Sequence, residues 1–308
     1  MKVATIDIGT NSVLLLIAEI HNHQLVALQE ESTITRLGQD VDHSRRLHPQ
    51  AIERTISCLH RYAEAIRGHG VSQMDAVSTS ATRDAQGVDD FLDSAERVLG
   101  VRPRIISGDT EARLSFQGAL SGLDVQGPVM VYDVGGGSTE IVLGHVDQGR
   151  RWHIEASHSL DIGCVRLSER HIRSDPPAEV ELTNLRTEAA LLFGPMSLDA
   201  PARTLIGIGG TVTTLAAVHL GLASYDPTKI HGALLTTTQI SRLASRLAQL
   251  PLAERQILPG MERKRADVII AGAIIVEQIL LSTKSPETRV SNRGLRWGLA
   301  LDLIAPHV

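Results

Sequence analysis

Cysteine is nearly missing from this chain: Cys58 and Cys164 are the only two. They lack metal-ligand spacing, and so few suit a reducing cytoplasm better than a disulfide scaffold. A surplus of positive charge is also missing. Thirty basic side chains against 35 acidic ones leave a net charge of −5, so no global basic field marks a nucleic-acid binder, and an anionic ligand has to be met by a local cluster. No apolar run is long enough to cross a bilayer. The longest, residues 268–281, is interrupted by Glu277 and Gln278 and reads as a buried helix. The first residues lack the basic leader and apolar core of a secretory signal. Thirteen histidines are present, yet none has the paired helical spacing of a zinc site. The expectation is a cytoplasmic protein with neither a membrane nor a nucleic-acid partner. Its 308 residues suffice for one large or two medium domains, each with a core.

What is present is a glycine turn between two strands. Val129-Met130-Val131-Tyr132-Asp133-Val134 is an apolar strand ending in an acid, Gly135-Gly136-Gly137-Ser138 follows, and Thr139-Glu140-Ile141-Val142 opens a second strand. Residues without Cβ atoms let the backbone turn tightly and aim successive N–H groups into one concavity, which binds anions. Asp133 and Glu140 flank the turn as the hard oxygen ligands that a Mg²⁺ ion, or another divalent cation, shared with substrate phosphates needs. A glycine-rich hairpin with a solvated acid is the plainer reading of this stretch alone.

The pattern recurs. In Ile6-Asp7-Ile8-Gly9-Thr10-Asn11-Ser12, Asp7, Gly9 and Ser12 fall on Asp133, Gly135 and Ser138 at a constant offset. A partial third version, Gly207-Ile208-Gly209-Gly210-Thr211, sets an apolar strand against glycines and a hydroxyl where a helix opens. It is either another anion contact at a helix N-terminus or a structural β–α turn. Repeated strand–turn units imply an internal duplication with ligand between the halves.

Residues 2–9, 13–20 and 24–30 read as three consecutive strands, with His21-Asn22-His23 as the second turn, and helices follow. Periodicity predicts a packing helix from Pro49 to Gly68 and another from Asp89 to Leu99. The strand at residues 74–78 delivers Arg83, whose planar fork suits phosphate oxygens; a salt bridge with Asp84 is the alternative. Pro176-Pro177 starts a helix running to about Phe193. The run Arg263-Lys264-Arg265 either grips distal phosphates or is a solvated face.

Five stretches, Ile6 to Ser12, Thr79-Ser80-Ala81-Thr82-Arg83-Asp84-Ala85, Ser107-Gly108-Asp109-Thr110-Glu111-Ala112-Arg113, Asp133 to Glu140, and Gly207 to Thr211, occur in order along the chain. Together they resemble the exopolyphosphatase/guanosine pentaphosphate phosphatase family, within the sugar kinase, actin and chaperone ATPase superfamily. The resemblance implies an α/β fold of two ribonuclease H-like domains with an inter-domain cleft. The first would span residues 1–124, joined by the last helix at about 296–308, and the second residues 125–308. It implies a short family form without the C-terminal helical domains of longer relatives, and so a preference for short chains.

The implied reaction is Mg²⁺-dependent hydrolytic release of terminal orthophosphate from inorganic polyphosphate. Removal of the 5′-phosphate of guanosine pentaphosphate is the runner-up, and a kinase or a non-catalytic polyphosphate sensor on the same scaffold lies further off. By resemblance Glu111 positions and deprotonates the attacking water, with its pKa kept low by the nearby ion, so that orientation is its main role. Many relatives carry a further acid where Thr110 stands; its absence leaves Glu111 as the match, with Asp109 as a fallback. Arg83 neutralises charge, and Asp7 joins Asp133 and Glu140 around the metal. Asn11, Ser12, Gly135, Gly136, Gly137, Ser138, Gly209, Gly210 and Thr211 contact phosphate. A homodimer is implied as well.

Overall fold

The computed structural model of the chain describes residues 1–21, 24–149, 151–193 and 203–304. The expected turn at Asn22 and His23 and the last four residues of the closing helix lie outside them. The chain divides into two compact units: Met1–Ser121 together with Gly294–Val308, and Gly122–Arg293.

The first unit is built on β1 (Lys2–Ile8), β2 (Ser12–His21), β3 (Gln24–Ile34), β4 (Gln73–Ser78) and β5 (Arg104–Ile105), in the order β3-β2-β1-β4-β5. The first three strands form an antiparallel meander; β4 and β5 add in parallel. Both faces of the sheet are covered, which is why β1 reads as a nearly unbroken apolar run. On one face Ile6, Ile8, Leu15 and Ile17 pack against Leu59, Tyr62 and Phe91. Leu59 and Tyr62 come from the Pro49–His69 helix, which has Pro at its start and ends where Gly70 adopts φ 63°. On the other face Val3, Leu16 and Ala18 meet Trp297 and Ala300 of the Leu295–Ile304 helix. That helix is tied down by polar contacts too: Glu30 accepts from Arg296 Nη2 (2.5 Å) and Trp297 Nε1 (3.2 Å), and Thr5 Oγ1 donates to the Arg296 carbonyl (2.8 Å).

The second unit carries β6 (Gly127–Val134), β7 (Thr139–Val146), β8 (Trp152–Leu160), β9 (Thr204–Ile208), β10 (Leu234–Thr236) and β11 (Glu287–Val290), in the order β10-β11-β9-β6-β7-β8. Read from β8, its first five strands repeat the order and directions of the first sheet: an antiparallel meander β6-β7-β8 with β9 and β11 parallel beyond it. Each sheet thus has the ribonuclease H-like arrangement, and the duplication seen in the two turns extends to the whole topology. Among the described residues the edge strand β10 has no counterpart in the first unit. The core is centred on the Ile269–Ser282 helix, which is apolar apart from Glu277, Gln278 and Ser282 and buried over most of its length.

The helix expected from Pro176 begins instead at Glu179. The segment before it is held by the Glu181 carboxylate, which accepts N–H bonds from Arg173 and Ala178 and the Ser174 hydroxyl. Residues Cys164–His171 form a helix of their own. Among the described residues no helix is long and apolar enough to cross a membrane.

Candidate active site

In the second unit β6 and β7 pair without a slip, so Asp133 and Glu140 stand directly opposite each other beside the connecting turn. The turn closes when Gly135 N–H donates to the Ser138 carbonyl at 3.0 Å. Its carbonyls are gripped from behind by the N-terminus of the Cys164–His171 helix. Cys164 N–H donates to the Gly135 oxygen (2.9 Å), those of Val165 and Arg166 to Gly136 (2.9 and 3.1 Å), and Arg166 Nε to Gly137 (2.7 Å). A Cβ on Gly163 would fall on the Gly136 carbonyl, so that position admits only glycine at this approach. With the carbonyls fixed, the N–H groups of Gly136, Gly137 and Ser138 donate to no protein acceptor among the described residues. Such a row is an anion nest.

The first unit repeats the device with different parts. Gly9 N–H closes its turn on the Ser12 carbonyl at 3.0 Å. Gly38 N–H holds the Thr10 oxygen (2.9 Å), and those of Thr35 and Arg36 hold that of Asn11 (3.0 and 2.9 Å). The Asn11 side chain is 4% exposed, and neither its Oδ1 nor its Nδ2 has a hydrogen-bond partner among the described residues. A buried amide left so costs about 1–3 kcal/mol, which calls for a ligand that completes it. One difference matters: Asp7 faces Leu14, where the second unit has Asp133 facing Glu140. Only the second turn carries an acid pair.

Arg83 and Glu111 come together within the first unit. Arg83 lies in the short Ser80–Asp84 helix after β4, and Glu111 in the first turn of the Gly108–Leu120 helix, whose N-terminus is capped by Ser107 Oγ accepting from Thr110 N–H. Arg83 Nη1 donates to Glu111 Oε2 and to the Ile106 carbonyl, both at 3.0 Å. The ion pair considered with Asp84 is thus one with Glu111, 28 residues away in sequence. Glu111 is 8% exposed. Burial pushes its carboxyl above the ordinary carboxylate range, Arg83 pulls it back, and the protein alone leaves it raised. The low pKa expected beside an ion is therefore not what the surrounding chain imposes.

The β9–helix turn brings two further charges together. Gly209 has φ 81°, and a Cβ there would fall on the Asp133 carboxylate. At Gly210 a Cβ would lie 2.7 Å from Arg265 Nη1 and closer still to Nη2 and Cζ. The two glycines thus make room for one carboxylate and one guanidinium at the N-terminus of the Gly209–His219 helix. The Thr211 Oγ1 donates to the Val134 carbonyl at 2.9 Å, which locks the helix to β6, so that a contact from Thr211 to a ligand falls to its backbone N–H.

Arg265 is the residue that sequence reasoning did not single out. It is 6% exposed, and its guanidinium forms no hydrogen bond or ion pair among the described residues. A buried cation facing the positive end of a helix dipole is doubly unfavourable alone and favourable with an anion between them. The only sequence signal was its place in a basic run directly before a buried helix. Ser159 was missed as well; its Oγ donates to Glu140 Oε1 at 3.2 Å.

Among the described residues no group of three or more His, Cys, Asp or Glu side chains is arranged to hold a metal by itself. Asp133 and the 3%-exposed Glu140 offer two hard oxygen donors beside the nest. That set fits Mg²⁺, which takes one or two carboxylates and keeps its other positions for water and phosphate oxygens.

Two ribonuclease H-like units, each with a glycine turn at the end of its first strand, the second with a row of amides that donate to no acceptor among the described residues, define a class of duplicated phosphate-handling proteins. Residues 16–307 match the Ppx/GppA phosphatase family. The chain is 39% identical to Exopolyphosphatase 2 of Mycobacterium tuberculosis, covering 98% of each. It is similar in structure to the Ppx/GppA family member of Aquifex aeolicus, with a TM-score of 0.83 and 35% identity over 99% of this chain and 98% of the other. An exopolyphosphatase from Cytophaga hutchinsonii gives a TM-score of 0.89 at 25% identity, over 99% and 98%. The chain belongs to the Ppx/GppA phosphatase family.

Proposed function

We propose that this protein is an exopolyphosphatase that releases orthophosphate from the ends of inorganic polyphosphate. The observation that carries the reading is the row of N–H groups at Gly136, Gly137 and Ser138, which donate to no acceptor among the described residues, beside an acid pair and near the buried Arg265, which has no ion-pair partner among them. Phosphoryl transfer needs little from a protein beyond positioning and charge stabilisation, and these groups supply both. The amides and Arg265 bind the terminal phosphate. Asn11 completes its amide on a phosphate oxygen. Asp133 and Glu140 would hold a Mg²⁺ ion, which when bound neutralises phosphate charge.

Glu111, in the first unit, is the base of this reading: its Oε accepts a proton from water as the water oxygen bonds to a terminal phosphorus. The bridging P–O bond breaks, and its electron pair stays on the shortened chain. Arg83 holds Glu111 in place and keeps its charge tolerable in a buried setting. The same reading carries a cytoplasmic location, since both cysteines are free and buried, and a homodimer.

The test is phosphate release from short polyphosphate, long polyphosphate, guanosine pentaphosphate and ATP, each with Mg²⁺ and with a chelator. Fastest Mg²⁺-dependent release from short polyphosphate supports the reading. Faster release from the nucleotide replaces it with the pentaphosphate phosphohydrolase, and phosphate passed to an acceptor makes the protein a kinase.

A further inference from the structure

Beside Arg265 the chain is gripped by a second buried arginine, whose bonds go to groups outside the anion site. Arg255, 3% exposed, stands in the four-residue Leu252–Arg255 helix. Its guanidinium reaches three groups from three segments. Nη1 donates to the Leu250 carbonyl (2.6 Å), Nε to the Ala266 carbonyl (2.9 Å), and Nη2 to Asp175 Oδ1 (3.2 Å). Asp175 in turn accepts the Leu252 N–H through both oxygens, at 3.0 and 2.8 Å. Ala266 directly follows Arg265, and the turn bearing Arg265 is a single Arg263–Arg265 3₁₀ turn, too short to be rigid alone. The loop from 256 to 266 is therefore pinned at its far end by a charge-assisted bond onto the peptide next to Arg265.

We propose that Arg255, anchored by Asp175, is a positioning residue that holds the Arg265 guanidinium against Gly210 and sets the affinity of the site for a terminal phosphate. This rests on the function proposed above. The strength of the device lies in its geometry. Arg255 spends its planar fork on carbonyls and one carboxylate, so the loop cannot slide without breaking several bonds together. The lever is short: one residue separates the gripped carbonyl from the side chain that meets the ligand. A lysine at 255 offers a point charge in place of a fork and cannot reach all three groups in fixed directions.

The experiment measures tripolyphosphate affinity by calorimetry with Mg²⁺ for the wild type, Arg255→Met, Asp175→Ala, Arg265→Ala and the double variant Arg255→Met/Arg265→Ala. KM and kcat for phosphate release are measured on the same samples. Loss of a well-placed charge-assisted bond predicts that Arg255→Met weakens binding about tenfold, with the change in KM exceeding that in kcat. Asp175→Ala acts in the same direction by about threefold. In the Arg265→Ala background, Arg255→Met then changes affinity less than twofold, because the group it positions is gone. Independent effects that multiply in the double variant overturn the proposal, as does a folded Arg255→Met with wild-type affinity. Should Arg255→Met fail to fold, Asp175→Ala, altered at the half-exposed end of the clamp, is combined with Arg265→Ala to decide by the same rule. Tripolyphosphate that binds without being hydrolysed refutes the exopolyphosphatase reading, and the cycle still decides the clamp.

Discussion

Gly210→Ala separates the function of the anion site from the stability of the fold. Gly210 does not use the left-handed region, so alanine suits its backbone. It lies in the first turn of the Gly209–His219 helix, where replacing glycine favours the folded state by up to ~1 kcal/mol. The new methyl would meet Nη1 of Arg265 at 2.7 Å, with Cζ and Nη2 closer. Since that guanidinium is the free end of a flexible side chain, it retreats by about 1 Å or more to ordinary van der Waals separation. A retreat of this size breaks a charge-assisted hydrogen bond to phosphate, worth about 1.5–3 kcal/mol, or roughly 10- to 150-fold in affinity. The assay pairs thermal unfolding with KM for a short polyphosphate. The expected result is a melting temperature unchanged or raised by about 1–3 °C together with KM raised at least tenfold. A variant with wild-type KM would refute the placement of Arg265 at the phosphate, and one that lost stability would refute the argument that only a mobile side chain stands in the way.

Further outcomes at Glu111, Asp133 and Asn11 follow from the same geometry. Glu111→Gln retains polyphosphate binding and loses about 10²- to 10⁴-fold in turnover; unchanged turnover removes Glu111 from the chemistry. Because burial raises the Glu111 pKa above the ordinary 4.5, its base form is lost as pH falls through that raised value. The acid limb of kcat/KM therefore lies above pH 4.5, and a limb at or below it contradicts the raised pKa. The linkage sign is opposite to that of a salt-bridged surface acid. The folded state holds this proton more tightly than the unfolded state, so Glu111 costs stability as pH rises through its folded pKa. Glu111→Gln should then unfold at a higher temperature than the wild type at pH 8 and at the same one below pH 4; the reverse order rejects the argument. Asp133→Asn raises the Mg²⁺ concentration for half-activation at least tenfold, while Asp7→Asn, opposite Leu14 and not an acid, has the smaller effect; equal effects contradict the assignment of the metal to the second turn. Asn11→Ala, which removes a buried amide with no internal partner, changes stability by less than ~1 kcal/mol and lowers activity at least tenfold.

The sequence was most readable where structure is dictated locally. Glycines at 9 and 135, each followed by a hydroxyl three residues on, fix a turn whose closing bond joins residues three apart, and so the duplication was visible before the topology. The meander strands, the Pro49–His69 helix with its stop at Gly70, and the Asp89–Leu99 helix follow from periodicity and end signals in the same way. What the sequence concealed depends on distant partners. The Arg83–Glu111 pair spans 28 residues, and the Thr211 hydroxyl is drawn to Val134, 77 residues earlier. The basic run at Arg265 could be read as a phosphate grip or as a solvated face, because the burial that decides between them comes from tertiary packing: Arg255, which holds the carbonyl of the next residue, finds Asp175 80 residues away. The Pro176-Pro177 start failed because Glu181 and Ser174 make a better cap three residues later than the prolines do.

A crystal structure of the protein with orthophosphate and Mg²⁺ tests the central claim most directly. The account predicts a phosphate that accepts hydrogen bonds from the backbone N–H groups of Gly136, Gly137 and Ser138 and from Arg265, with the metal on Asp133 and Glu140. Phosphate bound elsewhere, with those amides facing only water, would contradict it.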